Sequence, residues 1–348
     1  MLLNSFMSNF YVKFSDFKKD NLAVASLFED AGFYDRAQNI ESCASHLLFG
    51  NRVDGSHELI HGNFCKDRFC PLCQARRSAQ RAMELLHVLD RLSGEFLLLT
   101  LTVVNVTGDQ LRSKIEFMTD QFRYFMKDPR IKKGVCGYIR NLEVTYNKDL
   151  DTYHPHFHVL INVSDSYFVD HSQYLSRSDV LDVWRAYMHD DRIIDVDIRK
   201  VRGKQLDRAV VETTKYFTKF KDWVHEDNAS SVLYYLTSSL KSVNCTTMGG
   251  SIRKAILQLR SEREAEKIPF NEKILSFIQN ANSAYSSLDI FDFQKNNYSK
   301  DTLDLPSNNL IRFLESHPFY QRIFQYQIYA AQLCEYNNFL ERKLGMIG

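Results

Sequence analysis

The sequence lacks a strong net charge, a long apolar run and a secretory leader. Lysine and arginine number 44 against 43 aspartates and glutamates, so the formal net charge is +1 and composition alone does not indicate a polyanionic partner. The start has no basic segment followed by an uninterrupted apolar one, and no apolar run approaches the roughly 20 residues that span a bilayer. These absences predict a soluble, cytoplasmic protein without a membrane partner.

Cysteine is scarce and unevenly placed. The chain has seven cysteines, an odd number, and three of them fall within the nine residues 65–73. Without a secretory signal, this pattern indicates a metal site rather than a disulfide framework. The spacing is typical of a zinc knuckle or ribbon, and soft sulfur ligands select Zn²⁺, so we predict a structural zinc site. Its expected ligands are Cys43, Cys65, Cys70 and Cys73, with His46 and His61 as alternatives for the fourth position. It would fold the loop that carries Arg68, Arg76, Arg77 and Arg81.

The content of apolar and aromatic residues indicates a globular protein. Apolar residues make up 44% and aromatic residues 13% of the 348 residues, enough for two or three modules with cores of their own. We predict an N-terminal arm with the cysteine-rich zinc-binding segment at 1–93, a core domain at 94–225 and a helical C-terminal region at 226–348.

Apolar periodicity in the middle of the chain predicts an α+β fold. The order β-α-β-β-α-β-α matches an antiparallel ferredoxin/RRM-like sheet with helices on one face. The predicted strands are 96–104, 137–146, 156–163 and 193–201, and the predicted helices are 109–127, one capped by Ser178, and 205–222. Beyond residue 225 we expect helices at 230–240 and 252–265, a polar aromatic linker at 278–308 and a last helical pattern at 309–344.

Histidines at period two mark one of these strands. His154, His156 and His158 point to one face of a strand, and two neighbouring imidazoles form half of a divalent-metal site. Glu143 lies on the strand expected to pair with them across a short turn, and it could supply an oxygen ligand. Such a site would polarise a phosphate and leave positions open for substrate. Mg²⁺ and Mn²⁺ are both plausible, and the imidazole ligands favour Mn²⁺.

A tyrosine follows on a predicted helix. Glu212 and Tyr216 are four residues apart and hence expected on one helical face, with Lys215 and Lys219 beside the tyrosine. Tyrosine can form covalent intermediates, and transfer of a phosphoryl group to it needs a metal to stabilise the developing charge. The alternative nucleophiles are Tyr234 and Tyr235.

The stretch 199–221 is locally basic. It holds eight lysines and arginines against Asp207 and Glu212. In a nearly neutral chain, such a stretch suits the phosphate backbone of a nucleic acid. The candidate DNA-binding residues are Arg199, Lys200, Arg202, Lys215 and Lys219.

Together, these motifs resemble the plasmid rolling-circle replication initiators of the HUH endonuclease superfamily, in the single-tyrosine type with an upstream zinc motif. The resemblance covers roughly residues 43–255 and rests on four ordered blocks. These are Cys65-Lys-Asp-Arg-Phe-Cys-Pro-Leu-Cys, Phe96-Leu-Leu-Leu-Thr-Leu-Thr-Val, His154-Pro-His-Phe-His-Val-Leu-Ile and Glu212-Thr-Thr-Lys-Tyr.

The resemblance implies a mechanism and partners. His156 and His158 would be the metal-binding pair, and Tyr216 would attack the scissile phosphate to give a 5′-phosphotyrosine link and a free 3′-OH. Glu212 would activate water for the terminating cleavage, a task that suits a carboxylate. The substrate would be single-stranded or hairpin origin DNA, with a host helicase and DNA polymerase as partners. The oligomeric state stays open.

Three other functions are compatible with parts of the pattern. A single-tyrosine transposase or a mobilisation relaxase shares the metal and tyrosine chemistry. A non-catalytic, zinc-containing DNA-binding regulator would need neither the histidines nor Mn²⁺ or Mg²⁺. A metallohydrolase of small phosphoesters would not need Tyr216.

Overall fold

A computed structural model describes residues 17–215, 217–265, 270–294 and 297–321. The chain divides into two compact units, a smaller one of residues 1–19, 42–65 and 265–348 and a larger one of residues 20–41 and 66–264. Among the described residues, no helix combines the length and the apolarity needed to cross a membrane.

Helices and strands are interspersed along the whole described chain. In chain order they are α1 (17–30), α2 (Tyr34–Glu41), β1 (His46–Arg52), β2 (His57–Gly62), α3 (Pro71–Leu89), β3 (Glu95–Thr102), α4 (Gly108–Phe125), α5 (Pro129–Lys132), β4 (Val135–Asn147), β5 (Thr152–Val163), α6 (Arg177–Met188), β6 (Val196–Val201), α7 (Lys204–Thr214), α8 (Ala229–Ser239), β7 (Thr246–Gly249), α9 (Gly250–Ala265), α10 (Phe270–Ala284), β8 (Tyr285–Gln294), β9 (Asn297–Asp304) and α11 (Leu310–Glu315).

The larger unit is built on a five-stranded antiparallel sheet of order β6-β3-β5-β4-β7. Strands β3, β4 and β5 are largely buried, and for β3 this is what its near-continuous apolar sequence predicts for a central strand. The antiparallel α+β core expected from the sequence is therefore confirmed. The sheet also takes in β7, which lies beyond residue 225.

Helices cover both faces of this sheet, whereas the sequence predicted helices on one face. On one face the Phe122 ring of α4 lies 5.3 Å from the Phe157 ring of β5. Leu160, three residues later and so on the opposite face, packs in a cluster with α3, α7 and α9. The prediction was wrong because the apolar side of α7 does not reveal which face of the sheet it covers.

Two helix ends differ from the sequence prediction. The helix predicted over 205–222 ends at Thr214, and Lys215 has left helical geometry with φ −51° and ψ 164°. The Thr213 and Thr214 hydroxyls donate to carbonyls one turn back, a bonding pattern that destabilises helices slightly. The N-cap predicted at Ser178 is Ser176, which forms a capping box with Asp179.

The smaller unit has its own four-stranded antiparallel sheet of order β2-β1-β8-β9. The hairpin β8-β9 occupies the stretch predicted as a linker, so that prediction was wrong. Leu288 and Ile290 pack in the core of this unit, while the buried Asp289 between them is bonded to Asn51 and paired with Lys300. This mixture of polar and apolar residues concealed the strand. Of the last predicted helical pattern, α11 and residues 318–321 are helical, and the rest lies outside the described residues.

Candidate active site

The register of β4 and β5 brings three predicted ligands together. Glu143 is paired directly with His156, and Asn141 with His158, so all four side chains share the face covered by α3, α7 and α9. The Glu143 Oε2 atom lies 3.2 Å from His158 Nε2 and 3.6 Å from His156 Nε2. The ligand atoms of Glu143, His156 and His158 all lie within 4.8 Å of one another.

The other nitrogen of each ring is oriented away from Glu143. His156 Nδ1 lies 3.1 Å from the His154 carbonyl oxygen, and His158 Nδ1 lies 3.4 Å from the Thr100 hydroxyl. Partners on Nδ1 fix the orientation of an imidazole and direct its Nε2 atom. Both Nε2 atoms therefore face the carboxylate of Glu143.

The carboxylate of Glu143 is 2% exposed, and its charge is balanced locally. Burial by itself raises the pKa of Glu143, but the hydrogen bonds and charges of His156 and His158 outweigh it and hold that pKa well below its usual range. Lys219 Nζ lies 3.9 Å from the second carboxylate oxygen. Burial, followed by repulsion from His156, lowers the pKa of His154 to about 4.

The spacing of these atoms fits a divalent ion. Two donors bound at right angles and about 2.1 Å from an ion lie about 3.0 Å apart, and tetrahedral donors lie slightly farther apart. The observed separation of 3.2 Å lies within this range and that of 3.6 Å slightly beyond it, so a small movement of the side chains would complete the site. Two imidazoles and one carboxylate suit a first-row divalent ion, and they leave coordination positions open.

Glu212 also reaches this site. Its Oε2 atom lies 3.9 Å from His158 Nε2, and Lys215 pairs with the same carboxylate. Tyr216 lies outside the described residues. Its two neighbours are bonded to β4, since the Lys215 carbonyl accepts from Asn141 Nδ2 at 3.2 Å and the Phe217 carbonyl accepts from the Val144 N–H at 2.7 Å. The chain on both sides of position 216 is thus attached to the strand of Glu143.

The two alternative tyrosines lie on α8. Tyr235 packs against Tyr153, with the ring centroids 6.1 Å apart. Tyr153 alternates with His154 and His156 along β5 and so points to the opposite face of the sheet. Tyr234 is 67% exposed. The structure therefore does not bring Tyr235 to the face of the histidines.

The four predicted thiol ligands are divided between the two units. Cys43 and Cys65 lie in the smaller unit, where the Cys65 N–H is 3.5 Å from Cys43 Sγ, and Cys70 and Cys73 lie in the larger unit, where the Cys73 N–H is 3.4 Å from Cys70 Sγ. Backbone N–H groups point at three of them, among them Lys66 N–H at 3.3 Å from Cys73 Sγ, which suits thiolates. A set of four thiols fits a closed, structural zinc site. The alternative ligands are engaged elsewhere, because His46 Nδ1 lies 2.7 Å from Asp292 Oδ1 and the His61 ring packs beside Phe319.

Three predicted DNA-binding residues are paired with carboxylates: Arg199 and Lys200 on β6, an edge strand of the sheet, and Arg202 directly after it. Arg199 lies 3.6 Å from Asp197, while Lys200, at 3.1 Å, and Arg202 both pair with Glu95. Lys215 and Lys219, in contrast, pair with the site carboxylates Glu212 and Glu143. The structure therefore brings only the two lysines to the candidate metal centre.

Sequence reasoning missed a group of cations beside the site. Arg68, Arg77 and Arg81 line a cavity of about 200 Å³ together with Asn141 and Lys215. The arginines of the cysteine loop were visible in the sequence, but their convergence on β4 was not. A second cavity, of about 650 Å³, is lined by Thr145, His154 and Lys221 among others.

Comparison with known proteins gives a consistent result. The profile of the family described as "Replication protein" matches residues 56–299. A "Protein rep" of Streptococcus pneumoniae is 37% identical over 205 residues, which are 56% of this chain and 64% of that protein, just under two thirds. A "Protein rep" of Staphylococcus aureus is 36% identical over 53% of this chain and 82% of its own, and one of Lentilactobacillus hilgardii is 32% identical over 70% and 82%. No solved structure matches the chain.

Proposed function

The chain belongs to the replication protein family, and from that premise we propose that it is a plasmid rolling-circle replication initiator that nicks one strand of its origin. The resemblance to this family found in the sequence is confirmed by the family match. We propose further that the nicking reaction depends on a divalent metal ion and passes through a covalent intermediate.

One observation carries the proposal. A metal-ligand set of Glu143, His156 and His158 lies on the same face of the sheet as the Asn141 side chain, which is bonded to the chain at Lys215, next to Tyr216. A metal-dependent transesterification needs a site for the ion and a nucleophile supplied close to it. The position of the metal ligands next to the chain at Lys215 supports such a site. A DNA-binding regulator without catalytic activity would not need these ligands.

The reaction forms one phosphodiester bond at the expense of another. The Tyr216 oxygen attacks the scissile phosphorus and loses its proton to solvent. The bond from phosphorus to the 3′ oxygen breaks, and that oxygen takes a proton to become the 3′-OH primer. A bound divalent ion would stabilise the charge that develops on the phosphate oxygens. His156 and His158 hold fixed orientations for this role, and Lys219 adds positive charge next to Glu143.

Glu212 is the proposed general base for termination. Its carboxylate lies on the histidine side of α7, 3.9 Å from His158 Nε2, where it could take a proton from a water molecule that attacks the phosphotyrosine. Because the chain offers one tyrosine in this motif, hydrolysis in place of a second tyrosine attack would release the finished strand. Lys215 pairs with Glu212 and thereby orients it.

The proposal includes cofactors and partners. Mn²⁺ or Mg²⁺ would occupy the Glu143 site and Zn²⁺ the cysteine cluster, according to the hardness of the ligands. The DNA partner would be single-stranded or hairpin origin DNA, and a host helicase and DNA polymerase would extend the 3′-OH. The cytoplasm is the compartment in which these partners meet a plasmid.

The test is covalent capture of DNA. We expect the purified protein, incubated with Mn²⁺ and a 3′-labelled single-stranded oligonucleotide that carries the origin of its replicon, to give a protein-DNA adduct on a denaturing gel. Tyr216→Phe should abolish the adduct because it removes the attacking oxygen. His156→Ala combined with His158→Ala should abolish it because the metal ligands are lost.

Matched variants separate these roles from general damage. Tyr234→Phe, on the exposed side of α8, and His171→Ala, in an exposed loop, should retain the adduct. An adduct that survives Tyr216→Phe and disappears in Tyr234→Phe would move the nucleophile. Tight metal-independent binding with no adduct on any origin strand would overturn nicking in favour of a regulator.

A further inference from the structure

A cavity with a markedly basic lining lies beside the candidate metal centre. Its volume is about 200 Å³, and four of its lining residues are cations, namely Arg68, Arg77, Arg81 and Lys215. No aspartate or glutamate lines it among the described residues. A small cavity with this lining is suited to an anion that carries several acceptor oxygens.

The three arginines are held by neutral groups. Arg68 donates to the Leu240 and Val243 carbonyls at 2.5 and 2.7 Å, Arg77 donates to the Lys66 carbonyl, and Arg81 donates to the Thr246 hydroxyl at 3.2 Å. In the part of the chain that the structure describes, none of the three forms a salt bridge with a carboxylate. Their charges are therefore positioned without being neutralised.

The crowding of these cations is unfavourable in the absence of an anion. Burial, followed by repulsion from Arg77, lowers the pKa of Arg81. Groups that repel each other in this way are stabilised when a ligand of opposite charge binds between them. An arginine fork also binds two oxygens of one phosphate at once, which a lysine does not.

The position of the cavity relates it to the metal ligands. Asn141, which lines the cavity, precedes Glu143 by two residues on β4 and shares its face. Two residues of a strand span about 7 Å, comparable to the separation of neighbouring phosphates on an extended single strand. A strand whose scissile phosphate lay at the metal ligands would place the adjoining phosphate at this cavity.

We propose that the cavity of Arg68, Arg77, Arg81 and Lys215 binds a backbone phosphate of the single-stranded DNA next to the scissile phosphate. The assignment of the neighbouring phosphate as the scissile one rests on the proposed nicking function. The cavity sets the register of the strand by holding one phosphodiester, so that the phosphate beside it meets the metal and the nucleophile. Phosphate contacts of this kind position a strand and carry no base specificity.

The experiment measures binding without cleavage. Fluorescence anisotropy is recorded with zinc-loaded Tyr216→Phe protein, without added Mn²⁺ or Mg²⁺, and with a fluorescein-labelled single-stranded origin oligonucleotide. Each phosphate of the oligonucleotide is replaced in turn by a neutral methylphosphonate. We expect one replacement, next to the nick position, to weaken binding about tenfold, since a hydrogen bond to a charged group is lost. The same replacement should have little further effect when Arg81→Gln is added.

Further variants make the result independent of folding. Arg77→Gln, on the partly exposed side of α3, should show the same loss of sensitivity, and each of these variants should reduce the slope of log affinity against log salt by about 0.7. Arg76→Gln, an exposed arginine of the same helix that does not line the cavity, is the matched control and should leave the methylphosphonate pattern unchanged.

The outcomes separate the cavity from the nicking reaction. If each methylphosphonate replacement weakens DNA binding to the same extent in the Arg81→Gln, Arg77→Gln and Arg76→Gln proteins, the cavity is not a phosphate site. If the protein forms the tyrosine adduct but no phosphate replacement has an effect that depends on Arg77 or Arg81, the cavity proposal alone is overturned. If the protein forms no adduct but one phosphate replacement has an effect that depends on these arginines, the nicking proposal is overturned and the cavity remains a DNA contact.

Discussion

Replacing Glu143 by glutamine should weaken the metal centre while preserving its shape. The carboxylate is 2% exposed and lies 3.2 and 3.6 Å from the Nε2 atoms of His158 and His156, where it supplies the negative charge that faces both rings. Glutamine keeps an oxygen at this position but carries no charge. Loss of a residue that hydrogen-bonds to a metal ligand typically weakens metal affinity roughly 10–100-fold. Loss of a charged ligand itself should therefore weaken Mn²⁺ binding about 100-fold, or about 2.8 kcal/mol.

Isothermal titration of Mn²⁺ into the zinc-loaded protein without DNA measures this effect. Thiolates prefer Zn²⁺, so Mn²⁺ reports on the histidine site. Glu212→Gln is the matched control, because its carboxylate is 3.9 Å from His158 and pairs with Lys215, and it should change the affinity by no more than about threefold. If Glu143→Gln binds Mn²⁺ as tightly as the wild type, or if Glu212→Gln loses more, then the ligand set described above is wrong.

Other substitutions probe the zinc cluster, the core and the acid response. Cys73→Ser should reduce the zinc content from about one ion per chain to nearly none, measured by atomic emission, and retained zinc would contradict the four-cysteine site. Arg140 is 1% exposed and stacks over Phe157 at 4.3 Å, so Arg140→Ala should destabilise by about 3 kcal/mol and Arg140→Met by about 1 kcal/mol in urea unfolding. Equal losses would show that no cavity forms. His154 has a folded pKa of about 4 against 6.5 unfolded, so the unfolded chain binds more protons and stability falls as the pH drops from 6.5 to 4. His154→Gln should flatten this decline in the urea midpoint, and an unchanged slope would contradict the burial of a neutral ring.

The candidate metal centre was predictable because its signals are local. Period-two histidines identify the face of β5, and the short turn before Thr152 makes β4 the obvious partner, which leads directly to Glu143. The end of α7 was harder to predict from the sequence. Thr213 and Thr214 fit a continuing amphipathic pattern, and only their bonds to backbone carbonyls in the structure show that the helix stops. The argument that Glu212 and Tyr216 share one helical face therefore loses its basis, because α7 ends at Thr214.

Long-range pairings were beyond reach from one sequence. Strand β1 pairs with β8, and His46 lies opposite Asp292, nearly 250 residues away. Nothing in either segment alone reveals its partner, and polar residues such as Asp289 disguise the alternation. The basic cavity was missed for the same reason, because Arg81 of α3 meets Thr246 at the start of β7 only in the folded chain.

The hairpin of β4 and β5 has a consequence for the order of assembly. Glu143 and His158 are 15 residues apart, so the three ligands become complete as soon as this hairpin closes. Short loops close at low entropic cost and therefore early, whereas contacts between distant segments form late. During synthesis, we expect the ion-binding half of the site to exist before position 216 has left the ribosome, so the nucleophile would be added to a centre that is already built.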